Sequence, residues 1–93
     1  MKTQLPLHNR LFEYIRDLDI IAELDAQIKH KEQDISNMSQ LITIYEDLHC
    51  ENMADDMAKR CNAAEEELIF LLLDKNRIER KILAFRLNAL YAD

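Results

Sequence analysis

Along the second half of the sequence, apolar or small residues recur at steps that alternate between three and four residues. This spacing places them on one side of an α-helix and is typical of helices that pack side by side as a coiled coil. With Lys75 the one charged member, the positions are Met57, Cys61, Ala64, Leu68, Leu71, Lys75, Ile78, Ile82, Phe85 and Ala89. We call this line of positions the seam, and it predicts one long helix over about residues 53–91.

A comparable seam follows the first half of the chain. Its apolar members are Tyr14, Ile21, Leu24, Ile28, Ile35, Met38, Ile42 and Tyr45. Leu11, Ile15 and Leu18 lie beside it and widen the apolar stripe near the N-terminus. Pro6 suits the first turn of a helix, where its missing N–H would be unpaired in any case. The expected helix therefore covers about residues 6–49.

Few residues in the chain can break a helix, since glycine is absent and Pro6 is the sole proline. The apolar pattern is interrupted near His49, and Asn52 followed by Asp55 resembles a capping box that starts a new helix. These signals predict a turn at about residues 50–52. Two helices joined by a short connection pack as antiparallel neighbours. We therefore expect an all-α fold in which residues 1–93 form a single domain, a long antiparallel helical hairpin.

The order of charges along the chain supports the antiparallel arrangement. With a fold point near residue 51 or 52, residue i of the first helix faces roughly residue 103 − i of the second, and complementary charges beside a seam set helix orientation. The acidic group then lies opposite the basic group, that is, Asp17, Asp19, Glu23 and Asp25 opposite Arg77, Arg80, Lys81 and Arg86. Lys31 and Lys75 occupy seam positions, where we expect them to extend to water and fix the register.

One alternative fold stays open. Four residues whose side chains compete with the helix backbone for hydrogen bonds cluster in the first helix: Asp34, Ser36, Asn37 and Ser39. A break at residues 34–39 would give a three-helix bundle. Ile35, Met38 and Ile42 keep the seam in register through this segment, which favours a continuous helix.

Composition and charge exclude several classes of ligand. The formal net charge is −6, which repels nucleic acid. Without glycine the chain lacks the phosphate-binding loops of nucleotide sites, and we expect no cofactor. The longest apolar run, residues 68–73, is far shorter than the ~20 residues that span a bilayer. With no signal peptide pattern in residues 1–20, we expect a cytoplasmic protein that binds neither nucleic acid nor membrane.

Candidate catalytic and metal-binding residues are sparse. The three histidines are widely separated, and neither serine lies near one in sequence. His49, Cys50 and Cys61 lack the short repeated spacing of metal ligands, so we interpret Cys61 as a seam residue and Cys50 as a turn residue. We expect no catalytic residue, no metal and no disulfide between these cysteines.

The segment from Ile15 to Asp19, with sequence Ile-Arg-Asp-Leu-Asp, resembles the opening of an AroQ-type chorismate mutase. This resemblance implies a minor alternative, a small all-helical enzyme of chorismate-mutase type. The arginine–glutamate pair and the late glutamine that follow in that family are not found in this sequence, and its active site is therefore not transferred to this chain.

The clearest functional signal is the run of six apolar residues from Leu68 to Leu73, because it surrounds the helix while a hairpin partner covers only one side. Either the N-terminal stripe bends over this surface, or another molecule covers it. The residues that we expect in such an interface are Leu68, Ile69, Leu72, Leu73, Leu83, Leu87, Leu90, Leu11 and Ile15.

Two kinds of protein partner fit this expectation. The face holds an amphipathic helix of another protein, as an adaptor or an assembly or secretion chaperone does. Alternatively, two hairpins form a homodimeric four-helix bundle that acts as a scaffold or regulator. Small size, acidic balance and a helical hairpin resemble the small helical chaperones of type III and flagellar export systems, which implies the first kind of partner.

Overall fold

The computed structural model describes the backbone of residues 7–91 and the side chains of residues 9–90. It contains two α-helices, α1 over Leu7–Asp47 and α2 over Glu51–Tyr91. They pack along their length as an antiparallel hairpin measuring 67 × 21 × 18 Å. The predicted all-α antiparallel hairpin is confirmed, whereas the expected helix start at Pro6 lies outside the described residues.

Helix α1 runs unbroken through residues 34–39, so the three-helix alternative is wrong. The polar side chains of this region form hydrogen bonds along the helix surface instead of replacing the backbone ladder. Gln33 Nε2 donates to Asn37 Oδ1 at 3.0 Å, and Thr43 Oγ1 donates to the Ser39 carbonyl at 3.2 Å. Both bonds join residues four apart, a spacing that is compatible with a continuous helix.

The hairpin turn is a helix C-cap built without glycine. The His49 N–H donates to the Glu46 carbonyl at 3.0 Å, and the Cys50 N–H donates to the Tyr45 carbonyl at 2.8 Å. This pair of bonds defines a Schellman motif, which requires a left-handed residue at its penultimate position. His49 fills that position with φ = 59°. The turn therefore closes over residues 48–50, about two residues earlier than the sequence pattern predicts.

Helix α2 begins directly after this motif. The Cys50 carbonyl accepts the Ala54 N–H at 3.0 Å, which makes Cys50 the N-cap. The predicted capping box is wrong, because Asn52 and Asp55 already lie within the helix. The acidic residue that the structure places at the positive end of the helix is Glu51.

The earlier turn shifts the register between the helices. Tyr14 stacks on Phe85, Asp25 pairs with Lys75, and Lys31 pairs with Glu67. Residue i of α1 thus lies level with a residue near 99 − i of α2, not near 103 − i. Moving a turn by two residues changes this sum by about four, which accounts for the difference.

The core is a narrow line between the two helices. The buried apolar residues all lie in this line, and they are Leu24, Ile28, Ala54, Cys61, Ala64, Ile78 and Ile82. At the open end of the hairpin the rings of Tyr14 and Phe85 stack with centroids 4.5 Å apart, and Arg86 Nε donates to the Tyr14 hydroxyl. No described side chain is exposed by less than 2%, because each helix covers only one side of the other.

Candidate interaction face

One side of the hairpin carries a continuous set of exposed leucine and isoleucine side chains. On α2, Ile69, Leu83 and Leu90 are separated by whole heptads, so they share one side of the helix. On α1, Leu11, Ile15 and Leu18 follow each other at steps of four and three. We define the apolar face as Leu11, Ile15, Leu18, Ile69, Leu72, Leu73, Leu83, Leu87 and Leu90.

A shallow groove shows that the two helices contribute to the same face. Leu18 of α1 and Leu83 of α2 line this groove of about 230 Å³ together, with the seam residues Ile21 and Ile82 at its floor. Glu79 and Arg86 also line it and supply its charged groups. The groove is therefore apolar at its base and charged along α2, a chemistry that suits the ridge of another amphipathic helix.

Eight of the nine residues predicted for an interface lie in the apolar face and are exposed. Their fractional exposure runs from 45% at Leu87 to 72% at Leu90. The ninth, Leu68, is half-buried in the seam. Leu18, which the structure adds to the set, is marked in the sequence only by its place beside the first seam.

The N-terminal stripe does not cover the α2 surface. Leu11 and Ile15 are each 47% exposed, and Phe12 is 69% exposed. Because α1 is unbroken, this stripe stays beside its own seam and cannot fold back over Leu83 or Leu87. Intramolecular burial of the apolar run is thus excluded for the described residues.

The opposite side of the hairpin has a different character. Phe70 is 66% exposed and lines an open groove of about 500 Å³ with His30, Gln27 and Asp74. The Lys31–Glu67 ion pair lies at the edge of the same groove. Around this groove a single aromatic ring is surrounded by polar and charged groups. Other exposed apolar residues outside the apolar face lie nearer the turn: Leu41, Ile44, Leu48 and Met53.

Charged residues occupy three seam positions and form ion pairs between the two helices. Lys31 Nζ pairs with Glu67, and Lys75 Nζ lies 2.7 Å from Asp25 Oδ1. The hydrogen bond from Glu67 raises the pKa of Lys31, and that from Asp25 raises the pKa of Lys75, each against a smaller opposing effect of desolvation. Both lysines therefore favour the protonated form, and each joins α1 to α2 through its ion pair. Their role in fixing the register stays a prediction.

Asp17 is the third charged seam residue, whereas the charge order along the sequence identifies it only as a flanking charge. It fills the step between Tyr14 and Ile21 and is 4% exposed. Its Oδ1 lies 3.5 Å from Lys81 Nζ, one of the predicted partners of the acidic group. The sequence spacing does indicate this position, because the three-and-four pattern of the seam continues through residue 17 if a carboxylate is allowed there.

Other kinds of site find little support among residues 9–90. No three histidine, cysteine or acidic side chains converge there as a metal site. Cys50 and Cys61 are free thiols, Cys61 being buried in the seam. Arg16 and Asp19, from the segment that resembles chorismate mutase, line a shallow surface groove formed by α1 alone. Within the described range, neither helix has a stretch apolar and long enough to cross a bilayer.

In comparisons with known proteins, this chain matches no family model, no curated protein and no solved structure. The apolar face is therefore the feature of this chain from which a function can be inferred.

Proposed function

We propose that this chain is a non-enzymatic protein–protein interaction module whose apolar face packs against helices of another polypeptide. The observation that carries the proposal is the apolar face itself, nine large side chains left at least 37% exposed on one side of a two-helix hairpin. Fully burying one such side chain stabilises a protein by about 1.5–3 kcal/mol. A small domain has a total stability of about 5–15 kcal/mol, so burying several of these side chains against a partner would stabilise the chain by an amount comparable to its own folding free energy.

The surface area of the chain supports the same proposal. The 11.0 kDa chain exposes 7556 Å². A compact monomer of that mass exposes about 5600 Å² according to the usual scaling of surface with mass. The surplus of roughly 1900 Å² exceeds the ~800 Å² that each partner buries in an ordinary protein interface.

The groove between Leu18 and Leu83 indicates which kind of partner fits. An amphipathic helix lying along the hairpin would insert its apolar residues between those of α1 and α2. In this function the module acts as an adaptor or a chaperone-like protein that shields an apolar helix of its partner. The two free thiols fit a reducing compartment, and we propose the cytoplasm.

A second candidate function is a self-associating scaffold or regulator, in which the covering helices come from another copy of the chain. The observation that favours it is that both helices contribute exposed apolar residues to one face. Two hairpins placed face to face would then share a four-helix core.

The substitution Leu72→Asp tests the proposal, since it places a charge in the apolar face. We expect it to abolish association, measured by sedimentation equilibrium of the chain alone and by co-purification when the chain is expressed in its native cells. Helix content, measured by circular dichroism, should change little, because Leu72 is 46% exposed and lies outside the seam.

Ile44→Asp is the matched control, because Ile44 has a similar exposure of 49% but lies on α1, away from the apolar face. This variant should associate as the unmodified chain does. If Leu72→Asp leaves mass, helicity and partner binding unchanged, the apolar face is not an interface and the proposed function is wrong.

A further inference from the structure

We infer, resting on the proposed function, that the apolar face is covered by a second copy of this chain, with α2 packed antiparallel to α2 of the partner about a two-fold axis between Glu79 and Arg80. The inference goes beyond the presence of exposed leucines. It depends on complementary pairs of residues at the ends and at the centre of the exposed side of α2, and on the distribution of charge along the hairpin.

Antiparallel packing pairs four of the six apolar residues on the exposed side of α2 with one another, whereas Leu73 lies opposite the partner's Arg86 and Leu83 lies opposite the partner's Asn76. About a point between residues 79 and 80, Ile69 lies opposite the partner's Leu90, and Leu72 lies opposite the partner's Leu87. Antiparallel pairing therefore places apolar side chains against apolar side chains at both ends of the contact. A two-fold dimer needs a surface that is complementary to itself, and these two apolar pairs, each repeated by the symmetry, provide one at the ends of the contact.

The centre of the contact is complementary in charge. At the axis Glu79 lies opposite the partner's Arg80, and the symmetry repeats this pair. Both side chains are exposed, and neither forms an ion pair with another residue in the range 9–90. They are thus free to pair across the axis. A second copy of this chain necessarily presents Arg80 to Glu79 and Glu79 to Arg80, whereas a helix of another protein need not carry charges in that order.

Long-range charge also favours the antiparallel arrangement. Residues 31–68, which form the turn half of the hairpin, contain ten acidic and three basic residues. The segments 9–30 and 69–90, which form the open half, contain seven acidic and eight basic residues. Antiparallel pairing overlaps the nearly neutral halves and points the acidic halves away from each other, whereas parallel pairing sets the two acidic halves side by side.

The contact surface covers the open half of α2 and extends onto α1. Residues 69–90 extend over about 31 Å of helix. Leu11, Ile15 and Leu18 lie level with the C-terminal part of this segment and widen the contact surface from the second helix. The surplus surface of roughly 1900 Å² per chain exceeds the ~800 Å² that each subunit contributes to a standard interface.

A charge exchange at the axis tests the inference on the full chain. Glu79→Arg and Arg80→Glu each create like charges across the axis, and each should raise the dimer dissociation constant about tenfold in sedimentation equilibrium. The double variant carrying both substitutions restores opposite charges and should return the constant to within about threefold of the unmodified chain. As a matched control, Arg77→Glu changes charge on the same helix one heptad from Phe70, on the side away from the apolar face, and should have a smaller effect.

Small-angle X-ray scattering supplies an independent measure of the geometry. The turn lies about 30 residues from the axis, so the antiparallel dimer should be roughly 90 Å long. Two hairpins packed with their turns together would instead keep the 67 Å length of one hairpin.

Three outcomes would overturn the inference: a monomeric chain, a dimer about 67 Å long, or single variants that associate as tightly as the unmodified chain. A monomer that loses a different protein partner on Leu72→Asp would refute the self-association while leaving the proposed function intact.

Discussion

Asp17 Oδ1 lies 3.5 Å from Lys81 Nζ, and the carboxylate is enclosed in the seam while the lysine is nearly half exposed. The pair joins α1 to α2 near the open end of the hairpin, close to the stack of Tyr14 on Phe85. An apolar residue at position 17 would continue the seam. The carboxylate therefore helps to align α1 with α2 through its ion pair, but it buries less apolar surface than a leucine would at this position.

We expect Asp17→Leu to raise the free energy of unfolding by about 1–2 kcal/mol, because replacing a buried charge by an apolar side chain removes a desolvation cost. Urea denaturation at fixed protein concentration measures the change. Asp17→Asn removes the charge without adding apolar surface and should show no such gain. A loss of stability in Asp17→Leu would mean that the ion pair stabilises the hairpin more than burial of leucine does.

His49 occupies a left-handed conformation that glycine adopts without strain. His49→Gly should therefore stabilise the chain by about 1 kcal/mol, which corresponds to a rise in melting temperature of about 4–8 °C for a domain of this size. Thermal unfolding followed by circular dichroism gives the measurement. Leu48→Gly, one residue earlier and outside the left-handed region, is the control and should not stabilise. An unchanged or lower melting temperature for His49→Gly would contradict this account of the turn.

Lys31 and Lys75 have pKa values raised by hydrogen bonds to Glu67 and Asp25. A lysine whose folded pKa exceeds its unfolded value contributes stability that is fully present below the unfolded pKa of 10.5 and is lost as pH rises through the folded pKa. The unmodified chain should therefore lose stability above about pH 10.5 more steeply than a Lys31→Met, Lys75→Met double variant.

Denaturant midpoints at a series of pH values from 9 to about 12 test this dependence. The matched control replaces two exposed lysines, Lys29→Met and Lys59→Met, which make no ion pair within residues 9–90. The control should keep the steep loss. Equal slopes for the two double variants would show that the seam lysines do not stabilise the fold through their ion pairs.

Much of the fold follows from the sequence because spacing alone assigns residues to one side of a helix. The seam through Ile78 and Ile82 predicted α2, and both residues are buried. The continuity of α1 also followed from Ile35 and Met38, which stay in phase through the polar segment. Helical periodicity is a local property, and therefore it can be recognised before any tertiary contact is known.

The turn was harder to predict, because its signal is weak when glycine is absent. A left-handed position at a helix end is usually recognised in the sequence by a glycine, whereas here His49 occupies it. Because the turn was predicted two residues too late, the predicted register between the helices was wrong by about four residues. Asp25 therefore pairs with Lys75, which is not a member of the predicted basic group of Arg77, Arg80, Lys81 and Arg86. Asp17 does pair with Lys81, as the charge order predicts.

The sequence by itself determined that this chain is helical and favoured two long antiparallel helices, since the three-and-four spacing and the scarcity of helix breakers leave no other regular structure. Only the tertiary structure decided that the apolar residues outside the seam are left uncovered. Leu68 and Leu71 turn into the seam, whereas Ile69, Leu72 and Leu73 remain outside it. The physical reason is geometric: a single neighbouring helix covers one side of α2, and a straight α1 cannot bend to cover another.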